Sequence, residues 1–125
     1  MSLLEELKDL GVNVEEGLER VMDDQELYEM TLGMFIDSAK DNPVSPEDFD
    51  GDDLEALIRR VHMLKGLTGN LGMTPLFTKY NQVLELLRND QPEAAKAGFE
   101  GTLPIQSAIV ECIKRHMDME EKKPD

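Results

Sequence analysis

The sequence predicts an all-α fold, an up-down antiparallel four-helix bundle with short N-terminal helices packed on one end or flank. Three observations predict it. Leu and Met supply 25 of the 125 residues, whereas Val and Ile supply 12, a balance that favours helices over sheets. Apolar residues recur at three- and four-residue intervals along several stretches, the repeat of a helix with one buried face. Cap residues precede those stretches, and Gly or Pro interrupts or follows them, where helices start and stop. At this length the chain makes one domain, placed at residues 1–117, with 118–125 as a charged flexible tail.

Each element follows from local signals. Ser2 with Glu5 fits a capping box, and Leu3, Leu4, Leu7 and Leu10 keep helical spacing until Gly11. Asn13 with Glu16 opens a second short helix, with Val14, Leu18, Val21 and Met22 on one side. Asp24 caps a longer helix over about 25–40, whose apolar face combines Leu27, Met30 and Met34 with Tyr28, Leu32, Phe35 and Ala39. Residues 41–52 read as a loop: Pro43 and Pro46 lack backbone donors, and Asp48 to Asp53 is too polar to bury. Its acidic run does not make a calcium loop. With Asp48 as first ligand, the sixth position is Asp53 rather than Gly and the twelfth is Arg59 rather than Glu.

A helix over about 53–71 follows, with Leu54, Leu57, Ile58, Val61, Leu64 and Leu71 on its core face and Gly72 closing it. Thr74 as cap and Pro75 in the first turn open the next helix, which runs to about Arg88. Its stripe is Leu76, Phe77, Tyr80, Val83, Leu84 and Leu87. Gln91-Pro92 starts the last helical region, which Gly98, Gly101 and Pro104 bend or break. Ile105, Ala108, Ile109, Cys112 and Ile113 resume the pattern to about Met117.

Charge narrows the partners. The net charge of -14 argues against nucleic acid and anionic membranes. No apolar run approaches the roughly eighteen residues of a membrane span. The start of the chain lacks the basic region of a secretory signal, and a single Cys suggests a reducing compartment; a cytoplasmic location and a monomer are expected. Residues 54–81 nevertheless carry four bases (Arg59, Arg60, Lys65 and Lys79) and one acid, Glu55. This basic island could dock a small anion or an acidic partner.

His62 lies inside that island. At about 100° per residue from Leu54, the core residues cluster near 320° and His62 falls near 80°, pointing sideways out of the core. Glu55, Arg59, Gly66, Gly69 and Met73 share its flank, and Lys65 sits between that flank and the core edge. Two mid-helix glycines cost on the order of 2 kcal/mol relative to alanines, which something must offset. Glycines beside an outward histidine leave its imidazole open to a bulky group, and Lys65 adds a cation near any anion on the ring. That set suits a phosphoryl-accepting nucleophile. Close helix packing would equally explain the glycines.

The stretch His62-Met63-Leu64-Lys65-Gly66-Leu67-Thr68-Gly69-Asn70-Leu71-Gly72 resembles the signature of histidine-containing phosphotransfer (HPt) domains. That pattern is a His, then Lys-Gly at the third and fourth positions after it, then small residues closing on Gly. A looser resemblance extends from the Leu10-Gly11-Val12 region to about residue 115. It implies a phosphorelay intermediate of two-component signal transduction. His62 would take a phosphoryl group through Nε2 from an aspartyl phosphate of one response-regulator receiver domain and pass it to another. Lys65 would pair with the phosphoryl oxygens and Gly66 would clear the approach. The helical projection adds Arg59, one turn earlier, as an assisting cation. The resemblance implies no ATP site, no kinase activity and no cofactor in this chain, with Mg²⁺ held by the receiver. The partners implied are receiver domains, with a hybrid sensor kinase as a further candidate.

Two positions depart from the pattern. Leu67-Thr68 stand where small residues are common, and Leu67 falls near the outer face as an exposed receiver contact, with Gly69 and Met73 as further contacts. The second long helix is cut short by Pro43 and Pro46. Met63, Phe77 and Tyr80 could also rim the interface. Two other readings stay open: an adaptor that docks receiver or kinase domains without carrying phosphate, and a small enzyme using His62 as general base. His116 reads as a partly buried or fraying histidine and Cys112 as core. No Glu-x-x-His pair supplies di-iron ligands, and no Gly-rich phosphate loop follows a strand pattern.

Overall fold

The computed structural model describes residues 2–41 and 43–121, with 118–121 as backbone only. The described chain is all-helical. The elements are α1 (Leu3–Asp9), α2 (Val14–Glu19), α3 (Gln25–Asp41), a 3₁₀ turn (Pro46–Asp50), α4 (Leu54–Asn70), α5 (Thr74–Arg88), α6 (Pro92–Glu100) and α7 (Leu103–Glu121). No described helix is long and apolar enough to cross a membrane.

The caps read from sequence do what their chemistry requires. The Ser2 hydroxyl accepts from the Glu5 N–H at 3.2 Å and donates to the Glu5 carboxylate. The side-chain oxygens of Asn13, Asp24 and Asp53 accept from the N–H groups of Glu16, Leu27 and Ala56. Each satisfies an amide that the helix start leaves without a partner. The break expected near Gly101 separates α6 from α7. α7 runs to Glu121, past the end expected near Met117; Asn42 of the expected loop and residues 122–125 of the expected tail lie outside the described residues.

α3 and α4 lie antiparallel. The Tyr28 hydroxyl donates to the Leu71 carbonyl at 2.8 Å, while Ser38, further along α3, bonds Met63, earlier on α4. α4 turns directly into α5, which packs on α6 and touches α7; α1 packs on α7, and α2 touches α3. The core these faces enclose includes Leu7, Tyr28, Leu32, Phe35, Leu57, Val61, Leu64, Leu84, Phe99 and Ile109.

Four expectations are corrected. α2 ends at Glu19, and Met22 and Asp23 take positive φ; Met22 is 92% exposed instead of facing inward with Val14. The α3 stripe divides: Tyr28, Leu32 and Phe35 are buried, while Leu27, Met30 and Met34 are exposed. That stripe is wider than the face α4 covers. The acidic loop is anchored rather than wholly solvated. Phe49 is buried 5.3 Å from the Phe99 ring, while Asp48 pairs with Arg60 and Asp50 with Lys96. One aromatic in a polar run is enough to pull the backbone in, provided its neighbouring carboxylates find cations. Finally, Met73 and not Thr74 holds the cap position of α5, without a side-chain cap bond.

The α4–α5 turn depends on Gly72. Its φ is +74°, and a Cβ there would collide with the Asn13 carbonyl oxygen. The Asn13 N–H donates to the Gly72 carbonyl at 2.7 Å, so the N-terminal segment is tied to the turn that follows α4. Gly72→Ala is expected to cost about 1–3 kcal/mol, read as a lower urea midpoint at unchanged slope. An unchanged midpoint would mean that this contact opens without cost.

Candidate functional site

α4 places His62 at mid-length, exposed, with no hydrogen bond or ion pair to another described residue. Gly66 lies one turn further on, about 5–6 Å away between neighbouring positions of a helix. It is exposed, and a Cβ built on it meets nothing within 4 Å. The space above this part of α4 is therefore open. Gly66 is not held small by any packed neighbour.

Gly69 is different. A Cβ there would lie 3.0 Å from the Phe77 ring of α5, so its small size is used by helix packing rather than left for a partner. Lys65 is half-buried, its ammonium 5.9 Å from the Phe77 ring centroid. Such a cation–π contact is worth about 0.5–1 kcal/mol at exposed sites, too little to hold the ammonium against a phosphoryl dianion. Arg59 is exposed, and neither it nor Lys65 forms an ion pair among the described residues. Arg60 is turned away, donating to the Pro43 carbonyl at 2.6 Å and pairing with Asp48.

Two expected contacts are not where the helical projection put them. Leu67 is half-buried and packs against the core. The Thr68 hydroxyl is buried and donates to the Leu64 carbonyl at 2.8 Å. Met73 is fully buried. It lies beyond the end of α4, where the Gly72 turn reverses the chain and 100° per residue no longer applies. Of the proposed rim, Met63 is 50% and Phe77 36% exposed, and Tyr80 is buried. Burial raises the Tyr80 phenol well above its usual range and pushes Tyr28 up to about 12.

Around α4, sequence reasoning missed two features. Arg20, just past the end of α2, reaches the Gly69 carbonyl and pairs with Glu16 at 2.8 Å. It thereby closes one side of a cleft of about 300 Å³ whose walls include Lys65, Gly66, Asn70 and Phe77. His62 is not among the residues lining this cleft. Arg20 stands 49 residues from Gly69, and nothing local in α2 signals the contact. The second feature is the exposure of Met30 and Met34. The α3–α4 pairing sets Met34 about level with Gly66 and Met30 about level with the end of α4.

Cys112 and His116 of α7 meet Glu6 of α1. The Cys112 thiol donates to Glu6 Oε2 at 3.3 Å, and His116 Nε2 lies 3.0 Å from the same oxygen. The thiol bond and then the imidazole hold the Glu6 carboxyl below its usual range. Burial and that carboxylate push the Cys112 thiol up to about 11.

No known family model matches the chain, and comparisons with characterised proteins and with solved structures give no significant match.

Proposed function

We propose that this chain is a phosphorelay intermediate of the HPt kind, with His62 as its phosphoryl carrier. The observation that carries the reading is the pairing of an exposed, unpartnered His62 with open space one turn along at Gly66. The Lys65-Gly66 context of the sequence motif supports it. So does the up-down four-helix bundle, which we read as α3, α4, α5 and the α6–α7 arm with α1 and α2 covering one end.

In the proposed step, Nε2 of the neutral imidazole attacks the phosphorus of a receiver's aspartyl phosphate. A P–N bond forms, the P–O bond to the aspartate breaks, and the carboxylate leaves. Nδ1 keeps its proton and balances part of the added charge. Lys65 swings from Phe77 toward the phosphoryl oxygens, as charge-assisted pairing favours, and Arg59 is within reach of the same flank. Mg²⁺ belongs to the receiver. The exposed Met30, Met34 and Met63 suit a receiver surface, because methionine adapts to varied apolar partners. Transfer to a second receiver is the reverse step. We place the protein in the cytoplasm as a monomer that binds neither nucleic acid nor membrane.

The test is a transfer screen. Incubation with phosphorylated receiver domains should give one acid-labile label per chain. ATP with Mg²⁺ alone should give none, because no nucleotide-binding motif is present in the sequence. Binding of receivers without label would favour the adaptor reading, and stoichiometric labelling from ATP would overturn the proposal.

A further inference from the structure

The geometry points to a second site, unrelated to phosphotransfer: we propose that Glu6, Cys112 and His116 bind Zn²⁺ and so staple α1 to α7. One ligand atom from each lies within 4.8 Å of the other two. Two of the three separations, 3.3 Å and 3.0 Å, are already near the roughly 3.4 Å between ligand atoms of a tetrahedral zinc site with bonds of about 2.0–2.3 Å. The third pair lies within 4.8 Å.

The sequence supplies the right ligands in the right places. Cys112 and His116 are four residues apart on one face of α7, so one helix presents a sulfur and a nitrogen together. Glu6 adds an oxygen from a helix 106 residues away in sequence. A thiolate, a carboxylate and a neutral imidazole carry two negative charges, which Zn²⁺ neutralises. On binding, the Cys112 thiol gives its proton to water, and the bond it donates to Glu6 is replaced by coordination of both groups.

The site is sheltered but reachable. Cys112 is buried, and a cleft of about 310 Å³, also lined by Asp9 and Arg115, opens onto Glu6 and Cys112. Water from that cleft can fill the fourth position. Arg115 approaches Glu6 Oε2 at 3.4 Å, but its side chain is 66% exposed and can swing into solvent. Soft sulfur beside imidazole favours Zn²⁺ over Mg²⁺ or Ca²⁺.

Co²⁺ added to the untagged full chain is the probe. One equivalent should produce a thiolate-to-cobalt charge-transfer band, and Zn²⁺ should abolish it by displacement. Cys112→Ser should lose the band. Glu6→Gln and His116→Gln should each weaken Zn²⁺ binding by about tenfold or more and lose the rise in Tm that Zn²⁺ gives the parent. Those two positions are only partly buried, so their variants test the site even if Cys112→Ser fails to fold. His62→Gln should bind as the parent does. The proposal is overturned if the parent shows no charge-transfer band, if both partly buried variants bind Zn²⁺ with parental affinity, or if His62→Gln abolishes binding.

Discussion

His62→Gln is expected to fold like the parent and to take no acid-labile label from any phosphorylated receiver. The two halves of that result have separate causes. Folding survives because the His62 side chain is exposed and bonds no described neighbour, so its replacement leaves no cavity and no orphaned partner. Such surface changes usually stay within about 0.5 kcal/mol, and Gln is the better helix former. Labelling is lost because the carboxamide nitrogen has its lone pair delocalised into the carbonyl and cannot attack phosphorus. His116→Gln is the control. Its ring lies against Glu6 at the α1–α7 contact, and it should label at the parental rate. Label that persists in His62→Gln and disappears in His116→Gln would move the carrier to α7 and refute the assignment.

What the sequence made legible was local. Ser2 with Glu5, Asn13 with Glu16, and Asp24 with Leu27 are bonds across three residues, and a reader of the chain sees both partners at once. The flank of His62 was legible for the same reason, since a regular helix carries the angle from Leu54 to Gly66 without help from the rest of the fold. Two errors arise where helices end. Met73 was projected along a helix that had already ended, and Met22 along one that stopped at Glu19. Leu67 falls about 100° from the core direction in the projection, yet the core reaches far enough round α4 to cover it in part. Thr68 can face the core only because its oxygen donates back to the Leu64 carbonyl.

The contacts that were not legible join distant segments. Arg20 meets Gly69, and His116 meets Glu6 across 110 residues. In each case the individual residues looked ordinary: a surface arginine, a core cysteine, a histidine near a helix end. Their chemistry appears only when two helices meet. The exposure of Met30 and Met34 was hidden similarly, because an apolar stripe in sequence does not say how much of it a neighbouring helix will cover.

Gly66→Leu is expected to stabilise the protein and to slow phosphoryl transfer by about a hundredfold or more. Stability should rise because nothing stands within 4 Å of the added Cβ, so no clash offsets the gain in helix propensity, close to 1 kcal/mol over glycine. For a domain of this size that corresponds to roughly 4 °C in Tm. Transfer should fall because long side chains in a helix lean back over the preceding turn, and the residue one turn before Gly66 is His62. The leucine would occupy the path a receiver's aspartyl phosphate needs for in-line attack, where a misplacement of about 1 Å can cost a hundredfold. Gly66→Ala adds one carbon and should slow transfer less while gaining similar stability. A melting curve and a transfer time course for each variant separate the two effects. Parental transfer by Gly66→Leu would show that clearance is not why this helix keeps a glycine at its centre. A lowered Tm would show that the face carrying Gly66 is covered in solution, and the docking surface would then have to be sought on another side of α4.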